Sequence, residues 1–237
     1  MVKVGWIDLR AMGYREAWQL QESLLEKLQE GTPAEQAQAG YLLLVEHPHV
    51  YTLGRNGKPA NMLASAARLQ AIQAEVIAVN RGGDITYHGP GQLVAYPIVR
   101  LGDLGIGIRE YVRQLEEVVI RTLGAYGVAG ERMDKAAGVW LDVGTPAARK
   151  ICAIGVRCSR SVTMHGFALN VNTDLTYFGC INPCGFTDKG VTSLEKETGK
   201  KVEMDGVKKL ILQSFSAVFG VELEMLTAKC VDLSACA

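Results

Sequence analysis

Apolar positions recur along the chain at spacings that mark out its elements. Ala17, Leu20, Leu24, Leu25 and Leu28 fall on one face of a helix over residues 14–29. A second long helix is predicted over 107–126, with Ile108, Tyr111, Val112, Leu115, Val118, Val119 and Leu123 inward, and a third over Val207–Phe219. A short helix is predicted around Leu69–Gln73. Residues 2–9, Val76–Val79, Leu93–Val99, Val139–Val143, Ile151–Arg157, Phe167–Val171 and Val221–Leu226 read as strands. Tyr41–Val45, an apolar run bounded by Gly40 and His47-Pro48, reads as a buried strand. Arg81-Gly82-Gly83 and Tyr87-His88-Gly89-Pro90-Gly91 read as a rigid loop between strands. Strands interrupted by a few helices predict an α/β fold with a mixed β-sheet and flanking helices. No linker, repeat or composition break divides the chain, so one domain over 1–237 is expected.

Composition narrows the function classes. Of 237 residues 48% are hydrophobic and 21% charged, an ordinary globular balance with ample material for a core. Lys+Arg and Asp+Glu are 25 each, so the net charge is zero, and there is no block of like charges. That argues against nucleic acid and anionic membrane as partners. Arg149, Lys150, Arg157 and Arg160 form a modest basic cluster suited to an acidic protein. Six cysteines in a chain this long, with no CxxC pair, suggest neither a disulfide framework nor a zinc site. The N-terminus has no apolar signal region, and no apolar run approaches a bilayer span. A cytoplasmic, reducing setting is expected, where thiols are free to react.

Four segments stand out as candidate chemistry: 81–97, 149–157, 165–171 and 181–186. Gly82-Gly83 allows close backbone approach to a ligand, although a turn with two positive-φ positions is the simpler expectation. His88 suits a metal ligand, a base or a hydrogen-bonded core residue, and the last is the commonest. No HExxH pattern supports a metal, and none is expected. Cys184, between Pro183 and Gly185, suits a nucleophile or a small buried hydrophobe. Lys150, opening an apolar strand, either acidifies a neighbouring thiol or snorkels to solvent. On spacing alone the six cysteines rank about equally.

Together the stretches RGG-x-x-T-Y-H-GPGQ, K-x-x-A-I-G-V-R, H-G-x-A-L-N and N-P-C-G, in this order and spacing, resemble the octanoyl (lipoyl) transferase family from roughly residue 5 to residue 226. The resemblance implies the fold of biotin and lipoate protein ligases. It implies transfer of an octanoyl group from octanoyl-acyl carrier protein to a lysine of a lipoyl domain, in a 2-oxoacid dehydrogenase or the glycine cleavage H protein, without a cofactor. By the same matching, Cys184 is the acyl-thioester nucleophile and Lys150 the lysine that lowers its pKa. Arg81, Gly82, Gly83, Asp84, Ile85, Thr86, Tyr87, His88, Ala153, Ile154, Gly155, Gly166, Phe167 and Ala168 match the substrate-contacting positions. Cys152 stands where Ala or Gly is commoner. Along a strand it would share Lys150's face, and a core role is expected for it. The alternatives are an ATP-dependent ligase, a non-catalytic binding module, and a thiol hydrolase with His88 or His165 as base.

Overall fold

A computed structural model describes residues 1–31, 38–182 and 190–226. In chain order the elements are β1 (Val2–Ala11), α1 (Tyr14–Glu30), β2 (Gly40–Glu46), β3 (Val50–Leu53), α2 (Ala66–Ala71), β4 (Glu75–Ala78), β5 (Ile85–His88), β6 (Gln92–Val99) and α3 (Ile108–Gly124). They continue with β7 (Glu131–Arg132), β8 (Gly138–Leu141), β9 (Arg149–Ser159), β10 (Val162–Asn170), β11 (Gly190–Val191), α4 (Leu194–Thr198), α5 (Met204–Phe219) and β12 (Val221–Met225). The large sheet runs β12-β1-β2-β6-β10-β9-β8-β7, with β11 also on β9, and a small sheet runs β4-β3-β5. Strands β12, β1 and β2 are mutually parallel, whereas β2, β6, β10, β9, β8 and β7 pair antiparallel in turn.

Strand β2 is apolar from Tyr41 to Val45 because both of its faces are covered. Leu42 and Leu44 pack under α3 and α5 with Tyr111, Leu115, Val119, Ile211 and Phe215. Tyr41, Leu43 and Val45 pack on the other face under α1, against the expected helix face of Ala17, Leu20, Leu24, Leu25 and Leu28. Strand β6 divides likewise, with Leu93 and Ala95 on one side and Val94 and Tyr96 on the other. A two-residue side-chain period thus distributes one apolar run between two cores.

The inner edge of β6 is irregular where it matters for the site. Pro97 has no N–H to offer β10, and the regular ladder stops at Ala95↔Phe167. There β10 takes a left-handed residue, His165 (φ 57°), followed by Gly166. A Cβ at Gly166 would lie 2.7 Å from the Pro97 ring, so only glycine lets β10 approach this closely. Thr163 repairs the gap: its hydroxyl donates to the Pro97 carbonyl (3.0 Å) and accepts from the Val99 N–H (3.1 Å).

Several expectations need correction. Ile85–His88 is a strand of the small sheet, paired with β3 in register, and not part of a loop. Strand β3 itself follows His47-Pro48 too closely to be read as separate from β2. Strand β10 starts at Val162, five residues before the predicted Phe167, because the His165-Gly166 irregularity masks its first half. Ile108, expected inward on α3, is 40% exposed.

Candidate active site

A cavity of about 600 Å³ lies between the 81–88 segment and strands β6, β8, β9 and β10. Arg81, Gly82, Gly83, Asp84, Ile85, Thr86 and His88 line it from one side. Ala153, Ile154 and Gly155 of β9, and Gly166, Phe167 and Ala168 of β10, line it from another, with Lys150 on the same wall. Ala153 and Ala168 are direct cross-strand partners, as are Ile154 and Phe167. Thirteen of the fourteen expected substrate-contacting residues therefore face one space.

Tyr87 does not line it. Strand alternation that points Thr86 and His88 at the cavity sends Tyr87 the other way. Its ring packs on Tyr177 (5.2 Å, stacked), Tyr51 (5.3 Å) and Phe178 (5.3 Å), and its hydroxyl meets His49 Nδ1 at 2.7 Å. Burial pushes the Tyr87 phenol well up from its ordinary value.

The Arg81–Gly83 segment is held by Arg81 itself. Its guanidinium donates to the Thr52 carbonyl (2.6 Å), the Thr52 hydroxyl (2.8 Å) and the Gly82 carbonyl (2.9 Å). The Gly82 N–H donates to the Val156 carbonyl at 2.9 Å, tying the segment to β9. A Cβ on Gly155 would come within 2.9 Å of the Gly82 carbonyl, so the glycine that matters for close approach lies on β9. Of the pair Gly82-Gly83 only Gly83 (φ 86°) is left-handed, not both.

Three histidines, His47, His88 and His165, are buried around this wall with Tyr14 and Tyr96. His88 Nδ1 meets Gln92 Oε1 at 2.8 Å, and the Gln92 amide nitrogen donates to Asn170 Oδ1 (2.9 Å) and the Tyr87 carbonyl (3.1 Å). That amide orientation makes His88 Nδ1 the donor. Desolvation, then the neighbouring His47 and Arg81, holds the His88 pKa well below the ordinary value. Burial lowers His47 to about 4 and His165 to about 3. All three stay neutral at pH 7, as hydrogen-bonded core residues rather than poised bases. Their burial links stability to pH. Below pH 6.5 the unfolded chain takes up protons that the folded chain refuses, so stability falls as pH falls and is fully present above 6.5. His47 and His165 together should cost about 3 kcal/mol in all between pH 6.5 and 5. Urea unfolding at pH 7 and 5.5 checks this: a clear drop is expected, smaller in His47→Gln, and equal stabilities would contradict it.

Lys150 is half-buried, neither snorkelling freely nor sunk in the core. Its ammonium lies 4.5 Å from the Trp140 ring centroid and donates to the Ala137 carbonyl at 3.4 Å. The β8–β9 register shifts between Trp140↔Lys150 and Val139↔Cys152, leaving Ile151 as an extra residue. The bulge breaks the expected alternation between Lys150 and Cys152. Cys152 turns into the core, fully buried beside Val139 and Leu169, and desolvation pushes its thiol far up. The basic cluster also separates. Arg149 pairs with Glu197 (2.7 Å) and Asp142, while Arg157 and Arg160 lie about 25 Å along the strand at ~3.3 Å per residue.

Cys184 lies outside the described residues. Of its neighbours in the sequence, Asn182 donates from its N–H to the Asn61 carbonyl (2.8 Å), and Asn61 in turn donates to the Asp84 carboxylate (2.6 Å). Gly190 and Val191 pair with Arg149 and Lys150 and line the cavity. The cavity also has walls beyond the expected contact residues: Val94, Tyr96 and Asn170 lie within the motif segments, and Tyr14, Val112, Trp140 and Phe178 lie outside all of them. Val94 and Tyr96 follow from alternation after Gln92, whereas Trp140 is found only through its strand register with Lys150.

Residues 13–216 match the lipoyl protein ligase A/B catalytic domain. An octanoyltransferase of Bacteroides thetaiotaomicron is 55% identical over 207 residues, covering 87% of this chain and 91% of the relative. An octanoyltransferase of Christiangramia forsetii is 50% identical over 230 residues, covering 92% of this chain and 97% of the relative. Among solved structures, a bipartite lipoate protein ligase from Thermoplasma acidophilum has the same fold, with TM-score 0.75 over 99% of this chain and 91% of its own, at 15% identity. The chain belongs to the lipoyl protein ligase A/B family, among its octanoyltransferases.

Proposed function

We propose that this chain moves an octanoyl group from octanoyl-acyl carrier protein, through a thioester on Cys184, to a lysine of a lipoyl domain. The observation that carries this reading is the convergence of Lys150 with the 81–88, 153–155 and 166–168 segments on one cavity, in a chain 55% identical to an octanoyltransferase. The acyl tail lies in the cavity. Burying roughly seven of its carbons at ~0.8 kcal/mol each retains it with about 6 kcal/mol after the carrier leaves.

The Cys184 thiolate attacks the carrier's thioester carbonyl, and the carrier departs as its thiol by taking a proton from the Lys150 ammonium, which leaves Lys150 a neutral amine for the second step. One thioester replaces another, so the step is nearly balanced. The acceptor's lysine amine then attacks the acyl-enzyme carbonyl. The C–S bond breaks, the amide forms, and the amine's proton passes through Lys150. Amide formation from a thioester runs downhill, so no nucleotide is consumed. The same Lys150 ammonium first stabilises the thiolate.

The ATP-dependent ligase shares this fold, and the fold therefore does not separate the two activities. Incubation with octanoyl-acyl carrier protein and a lipoyl domain, without ATP, should give an octanoyl-amide on the lipoyl-domain lysine. A requirement for ATP and free octanoate would reject the transferase. The hydrolase alternative is weakened by the histidines: His165, held near 3, is a poor base at neutral pH.

A further inference from the structure

Glu116 is a buried carboxylate on α3, the helix that packs on β8 and β9, and is absent from the cavity wall. Its Oε1 accepts from the Gly138 N–H at 3.1 Å, and its Oε2 faces Arg132 Nε at 3.2 Å. Gly138 opens β8 with φ 125°, a backbone conformation that side chains rarely adopt. The two residues before it supply the surroundings of Lys150. The Ala137 carbonyl accepts from the Lys150 ammonium, and the Ala136 carbonyl accepts from the Trp140 indole at 2.9 Å, fixing the ring on which that ammonium rests. A Cβ on Gly138 would sit 3.5 Å from Lys150 Cε, so the segment and the lysine stem are in direct reach.

We infer that Glu116 is a positioning residue for Lys150: by gripping the Gly138 N–H it sets the 136–138 segment, and with it the carbonyl and the indole that aim the ammonium. The inference rests on the proposed pairing of Lys150 with Cys184. Carboxylates are costly to bury unless paired and hydrogen-bonded, and Glu116 has both partners, the Arg132 guanidinium and the Gly138 N–H. Arg132 keeps its charge compensated, so the carboxylate holds backbone without drawing Lys150 away from the cavity.

The test compares Glu116→Ala, Glu116→Asp, Glu116→Gln and Lys150→Met. The readouts are kcat and KM for octanoyl transfer and the pH midpoint of Cys184 alkylation by iodoacetamide, followed peptide by peptide. Glu116→Ala should lower kcat about tenfold with little change in KM, since a small displacement of a reacting group is expensive. It should raise the Cys184 midpoint by about one pH unit, in the direction of Lys150→Met, because a displaced ammonium stabilises the thiolate less. Glu116→Gln keeps an acceptor oxygen at the same reach and should stay near wild type. Glu116→Asp, one methylene too short, should move with Ala, and it decides the matter against Gln if the alanine variant fails to fold. A native midpoint in folded Glu116→Ala or Glu116→Asp, with a raised one in Lys150→Met, overturns the inference alone. Native midpoints in all four overturn the Lys150–Cys184 pairing and this inference with it.

Discussion

Octanoyl transfer by Lys150→Met falls by about a hundredfold or more at neutral pH, while the fold survives. Methionine keeps most of the apolar stem of lysine and loses the ammonium, and with it the contact over the Trp140 ring. Without it the Cys184 thiol ionises less at pH 7, and the acceptor amine has no neighbouring group to take its proton. The first deficit is recoverable because hydroxide ionises the thiol at higher pH; the second is not. The rate of the variant should therefore climb from pH 7 to pH 9 more steeply than that of wild type, without reaching it. A pH series of kcat, with circular dichroism to verify folding, reads this directly. Parallel profiles, or an undiminished rate at pH 7, would remove Lys150 from the chemistry.

Ala153→Leu should shorten the acyl chain that the cavity accepts. Ala153 lies on β9 opposite Ala168 and Gly138, half-buried on the cavity wall. Leucine adds three carbons there and displaces about as many methylenes of the tail. At ~0.8 kcal/mol each this is about 2.4 kcal/mol, or about fiftyfold in kcat/KM for octanoyl donors. A butanoyl donor, which does not fill the cavity, should lose much less. Transfer rates with carrier-bound acyl chains of four, six, eight and ten carbons separate the cases. A uniform loss across the series would mean that the tail does not lie against β9.

Much of this arrangement was legible in the residues. The apolar face of α1 from Ala17 to Leu28 was predicted by its helical spacing, though not the buried Tyr14 and Gln21, and Tyr41–Val45 by its unbroken apolar run. Thirteen of the fourteen expected contact residues reach one cavity together with Lys150; Tyr87 is the exception, because the structure makes 85–88 a strand and strands alternate, and Cys184 lies outside the described residues. What escaped the sequence depends on partners distant along the chain. The left-handed His165 follows from Pro97 on the neighbouring strand. Cys152 was expected in the core and is buried there; what escaped is the bulge at Ile151, disclosed by the β8 register, which takes it off the face of Lys150. Trp140 under Lys150, and Glu116 behind Gly138, are products of strand pairing and helix packing, and no local spacing encodes either.

The account turns on whether the octanoyl group is ever covalently held by Cys184. Intact-protein mass spectrometry after incubation with octanoyl-acyl carrier protein, without ATP, measures this for wild type, Cys184→Ala and Cys152→Ala. A hydroxylamine-labile octanoyl adduct on wild type and Cys152→Ala, absent from Cys184→Ala, is the predicted result. An adduct that persists on Cys184→Ala, or none on wild type while transfer proceeds only with ATP, would contradict it.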